Sequence, residues 1–209
     1  MTLGYLTETF GFRGTWNPEL MVLAVLLGIA YFSLTGPLRH TFPDAKPVPL
    51  RQKVSFTFGL LLFYLGLGSP VNVTGHFLFS AHMVQQAILY LIMPLLILAG
   101  TPDYLFRYVA ANRWVRYMLQ FFTHPVPAVL LFNALFSFYH MPTILNLAMN
   151  NLAMHNLIHL LLLIAAFFMW MPVFAPLPEI HRMSDLQKLG YIFASSVLIT
   201  PACALIIFA

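Results

Sequence analysis

Residues 151–174 read NLAMHNLIHLLLLIAAFFMWMPVF. The stretch holds no Asp, Glu, Lys or Arg. At about 1.5 Å per helical residue it reaches about 36 Å, longer than the roughly 30 Å hydrocarbon core of a bilayer. Backbone polar groups inside lipid must pair within the segment, so a run of this length reads as a membrane-spanning helix. Five similar apolar runs lie around it, roughly 19–36, 54–70, 80–100, 125–141 and 188–209. Breaks between runs fall at Gly36-Pro37, Ser69-Pro70, Gly100-Thr101-Pro102, Met141-Pro142 and Pro176-Leu177-Pro178, where turn chemistry places them. Prolines at 94 and 201 are expected to break the third and sixth spans or kink them, and to shape a cavity.

The expected fold is all-α: a polytopic transmembrane helix bundle of about six spans, read as one membrane-embedded domain over 1–209. Composition agrees. Of 209 residues, 60% are hydrophobic and 8% charged, against roughly 25% charged in an ordinary soluble domain. That excludes a soluble globular enzyme, which needs charge on its surface. Ten Lys and Arg form no basic stripe, so no nucleic-acid partner is expected. The single cysteine, Cys203, excludes an intramolecular disulfide and a CxxC motif. No cleaved signal peptide is evident at the N-terminus. The chain ends at Ala209 inside an apolar run, which reads as a fragment or a last helix with an unusually packed end.

The cations order the topology. Arg39, Lys46, Arg51 and Lys53 lie at the connection between the first two spans. Arg107, Arg113 and Arg116 lie between the third and fourth, and Arg182 and Lys188 between the fifth and sixth. Arg13 alone falls on the other side, with the loops 71–79 and 142–150. The positive-inside rule then sets the N-terminus outside. The segment 103–122 mixes arginines with Tyr104, Phe106, Tyr108, Trp114 and Tyr117, the pattern of a helix anchored in the cytoplasmic interface.

Polar residues inside a bilayer are costly and point to function. Glu8, Glu19, Asp44, Asp103, Glu179 and Asp185 all fall in loops or at span ends, which argues against a proton pump and against general acid–base catalysis. The histidines are more informative. His40, His124 and His181 map to the cytoplasmic side; His76, His82, His140, His155 and His159 map to the outer side. His155 and His159 share a helix face at i, i+4. Gln85, Gln86 and Tyr90 follow His82, and Asn133, Ser137 and His140 run i, i+4, i+7. Met83, Met141, Met149 and Met154 adjoin these histidines. Imidazole with thioether suits copper, especially Cu(I), and imidazole alone suits zinc or haem iron. On spacing alone, helix-linking histidines, a copper site and a haem site all stay open.

The ordered set Ser80-Ala81-His82-Met83-Val84-Gln85-Gln86, Pro94, Gly100-Thr101-Pro102, His140-Met141-Pro142, His155-x3-His159 and Trp170-Met171-Pro172 resembles the CtaG family of integral membrane assembly factors for caa-type cytochrome c oxidase. The resemblance covers about 76–174 directly and the flanking spans by topology. It implies a multi-pass protein of the bacterial plasma membrane, mostly of about seven spans, with no catalytic reaction of its own. It implies oxidase subunits as partners beside membrane lipid, and copper as the cargo bound or delivered at the outer face. The residues it assigns to metal are His82, His140, His155 and His159, with Met83 and Met141 beside them. Many members carry a second histidine where this chain has Gln86. A metal-free assembly scaffold and a haem-binding membrane cytochrome are the alternative readings.

Overall fold

The computed structural model describes residues 3–43, 45–177, 180 and 183–207, with 3 and 201–207 described by backbone alone. Asp44, Pro178, Glu179, His181, Arg182 and Ala209, and the side chains of Pro201 and Cys203, lie outside the described residues. Twelve α-helices follow one another, with one 3₁₀ and one π segment, and no strand occurs among the described residues. The chain divides into two compact units, Met1–Tyr108 and Val109–Ala209.

The first unit begins with α1 (Leu3–Trp16), kinked at Gly11 in the left-handed region (φ 68°), and α2 (Pro18–Thr35). A 3₁₀ turn at Pro37–Thr41 leads to α3 (Leu50–Gly68) and α4 (Pro70–Phe77). The third expected span is built in three parts: α5 (Phe79–Gln86), a π segment (Ala87–Ile92) and α6 (Met93–Gly100). Pro94 does not interrupt it. A proline ring collides with the carbonyl four residues back and offers it no N–H. The π turn widens the helix just before the ring, with the Met93 N–H bonded to Ile88 O, so one continuous span runs from Phe79 to Gly100.

Close approach of α3 to α6 organises this unit. A methyl group added to Gly59 would stand 2.8 Å from Ile97 Cδ1; one on Gly100 would run into the backbone nitrogen of Phe56. Small residues at such points let helices touch backbone to backbone, the main source of helix association in lipid. Ser55 Oγ donates to Leu96 O (2.9 Å). Tyr31 stacks on Phe56 at 3.7 Å and donates its hydroxyl to Gly100 O (2.7 Å), joining α2 to the same seam. Tyr31→Phe keeps the stack and loses the bond, so it should cost about 1 kcal/mol, read as a lower melting temperature in detergent. Where α7 (Asp103–Ala110) begins, Tyr104 and Tyr108 pack on Phe42 at 5.5 and 5.1 Å.

The second unit contains α8 (Arg113–Phe122), α9 (Pro125–Tyr139), α10 (Pro142–Met149), α11 (Leu152–Phe174) and α12 (Asp185–Ile207). Helix α9 packs against α11 and α12. Tyr191 of α12 donates to Met169 O (2.7 Å), Ser195 Oγ meets the Met169 sulfur at 3.3 Å, and Asn133 Nδ2 reaches Ser195 Oγ at 3.4 Å. Asn133 thus serves the packing of three helices, seven residues from His140 along its own.

Among the described residues, three helical stretches are long and apolar enough to cross a membrane: Gly4–Thr35, Phe79–Gly100 and Leu152–Phe174. The count rises to five if α3 with α4 (bent 44°) and α8 with α9 (bent 72°) are each one broken span. The sixth expected run forms α12, outside that count. The expected loops at 71–79 and 142–150 correct to the short helices α4 and α10. The breaks expected at Ser69-Pro70 and Met141-Pro142 are present, and each proline opens the next helix at its first position, where a missing N–H costs nothing. The expected interfacial helix over 103–122 is two helices, because Asn112 caps a new start with Oδ1 accepting from Trp114 N at 2.9 Å.

Candidate functional site

In the first unit the polar residues of α5 turn inward. His82, Gln85 and Gln86 are each 1% exposed. Gln85 Nε2 donates to Gly66 O of α3 and to Asn72 Oδ1 of α4, both at 2.8 Å. One amide therefore ties three helices. Gly75 allows this, since a Cβ there would stand 2.7 Å from Gln85 Oε1. Gln86 Nε2 lies 2.9 Å from His82 Nε2, one turn away on the same face. The amide N–H donates to the Nε2 lone pair, which fixes the ring and leaves the proton on Nδ1, so His82 can offer Nε2 to a metal only once Gln86 withdraws. Met83 is half-buried, and His76 is exposed with Nδ1 2.9 Å from Asn72 O.

In the second unit His140 closes α9 as its C-terminal cap and is fully buried. Its Nδ1–H donates to Phe136 O at 2.7 Å. The neutral ring then carries its lone pair on Nε2, the form in which imidazole binds a metal. His155 and His159 lie one turn apart on α11, buried, with ring centroids 4.3 Å apart. Tyr139 joins the two helices' contributions: its ring meets His159 at 5.8 Å and His140 at 5.0 Å, edge-on to both.

Buried Tyr139 thus stands between two buried imidazoles, with a third, His155, against His159. Met141 is 43% exposed, and Met149 and Met154 are half-buried. Among the described residues no group of three or more His, Cys, Asp or Glu side chains is already set to hold a metal ion. What the arrangement supplies is buried imidazole nitrogen in an apolar surround.

The model of the cytochrome c oxidase caa3 assembly factors, Caa3_CtaG, matches residues 29–209. The chain belongs to this family. No curated protein and no solved structure matches it. Family membership makes the protein an assembly factor for cytochrome c oxidase and implies interaction with that enzyme. The matched stretch includes all four buried histidines. Three contributors were not singled out from the sequence of this Caa3_CtaG member. Tyr139 stands next to His140 in the chain, a signal that adjacency carried. Asn72 and Gly75 lie in a segment read as loop, and only its helical form brings them onto Gln85.

Proposed function

We propose that this Caa3_CtaG protein binds copper through its buried histidines and delivers it to cytochrome c oxidase during assembly. It would act in the bacterial plasma membrane as a multi-pass protein with its N-terminus outside, and would catalyse no reaction of its own. The observation that carries the reading is the His155–His159 pair, buried at 4.3 Å between centroids beside Tyr139. Two imidazoles spaced one helical turn apart can chelate one ion. Imidazole and thioether donors suit copper, and they hold Cu(I) more loosely than a thiolate pair, as a donor that must release its ion requires. His140, with Nδ1–H engaged by Phe136 O, is the third donor in this unit. His82 is the donor in the other, once Gln86 withdraws its amide from Nε2. Met83 and Met141 are the accessory thioethers. The distribution of arginines and lysines supports the orientation.

The test is copper content of the detergent-purified protein after anaerobic Cu(I) loading, wild type beside H155A/H159A. The expected result is about one copper per chain, lost in the variant while its helical circular dichroism is unchanged. No copper in the wild type would overturn the reading and leave a metal-free scaffold. A Soret band in place of copper would make the histidines haem ligands.

A further inference from the structure

We propose that α8 is a lipid-reading helix, which lays Trp114, Met118 and Phe121 into one leaflet and holds anionic phospholipid headgroups with Arg113 and Arg116. Three observations carry this, and none depends on copper. First, α8 is divided lengthwise. At about 100° per residue, Arg116, Gln120, Arg113 and Tyr117 fall on one arc. The opposite arc is apolar, and it splits again. Val115, Leu119 and Phe122 are half-buried against the protein, and Phe122 stacks on Phe168 of α11 at 5.3 Å. Trp114, Met118 and Phe121 remain 80%, 55% and 63% exposed. The helix therefore has one side for protein, one for hydrocarbon and one for charge.

Second, α8 meets α9 at a bend of 72°. If α9 crosses the bilayer near its normal, α8 lies close to the bilayer plane. Ten residues reach only about 15 Å, too short to span. A short helix in that plane, with aromatic residues on one flank and arginines on the other, is built for the headgroup boundary. Third, the charge is of one sign. Helix α8 carries no acid, and the nearest acid in the sequence before it is Asp103. Arg113 and Arg116 are exposed; Arg113 rests its guanidinium over the Tyr117 ring at 5.5 Å, which points it along the helix surface. Arginine's planar fork matches phosphate oxygens, and each cation near an anionic surface contributes about 1 kcal/mol.

Trp114 provides the probe. The chain has three tryptophans, so W16F/W170F leaves it as the sole emitter. The full-length variant is placed in nanodiscs containing brominated phosphatidylglycerol or brominated phosphatidylcholine. Bromine should quench Trp114 in both, at least about twofold more in phosphatidylglycerol at low salt. The excess should vanish in R113Q/R116Q and shrink at high salt. Absence of quenching in either lipid would overturn the proposal and make the ridge a protein-docking face. Equal quenching in the two lipids would overturn the selectivity for anionic headgroups. Should W16F/W170F fail to fold, amide hydrogen exchange of the unsubstituted chain decides. Residues 113–122 should exchange more slowly in phosphatidylglycerol nanodiscs than in phosphatidylcholine, and equal rates would sink the idea.

Discussion

Gly100→Ala should destabilise the protein more than any other single methyl group. The added carbon runs into the Phe56 backbone nitrogen and stands 2.7 Å from Gln52 O, both fixed points of α3. Neither can yield as a flexible side chain would, so α3 and α6 must part. Parting them also strains the Tyr31–Gly100 and Ser55–Leu96 bonds. Overpacking of this kind costs about 3 kcal/mol, which for a chain of this size corresponds to a fall of roughly 10 °C in melting temperature. The control is Gly190→Ala in α12, where an added methyl meets nothing within 4 Å. In a helix that change stabilises by about 0.5–1 kcal/mol. Both variants can be compared with wild type by thermal unfolding in one detergent. Equal melting of G100A and wild type would mean that α3 and α6 do not meet as closely as they do here.

The second large effect lies in the oxidase, not in this chain. Cells carrying H155A/H159A should assemble oxidase protein at normal abundance but with activity lowered at least about tenfold, since loss of ligands costs more than the 10–100-fold typical of outer groups. Copper added to the medium should restore part of it. Oxygen consumption per oxidase subunit, with and without added copper, is the readout. Loss of the subunits themselves, unrelieved by copper, would mean that the histidines support a scaffold. Unchanged activity would mean that they only brace the helices.

Much of this was legible in the sequence, and the exceptions share a cause. Each apolar run forms a helix within a few residues of its expected limits, because composition alone decides that in lipid. His82, His140, His155 and His159 were expected in the interior, and none is more than 6% exposed. Which polar groups would surround them was less visible. Asn133 shares a face of α9 with His140, yet it turns to Ser195 on a helix sixty residues away. Tyr139 adjoins His140 in sequence, but nothing local foretells that its ring also meets His159 on α11. The segments around Pro70, Pro125 and Pro142 show the ambiguity of proline. The same residue that ends one helix opens the next, and only the capping Ser69 hints at the second role, with Oγ accepting from Val71 N at 3.2 Å. The π segment gave no local warning beyond Pro94, since its six residues are ordinary helix formers.

That π turn has a genetic corollary. It amounts to one residue inserted into an α-helix. Deletion of a single codon between Ala87 and Ile92 would return the span to α register, leaving α6 and its seat on α3 in place. The extra residue is taken up inside the widened turn, so α5 and α6 already stand in the relation they would have in an unbroken α-helix, and the deletion would leave His82, Gln85 and Gln86 facing Gly66 and Asn72. What it would bring back is the collision of the Pro94 ring with the carbonyl four residues earlier. The span can thus lose a triplet there without turning its polar set, and what the wide turn protects is the seat of the proline.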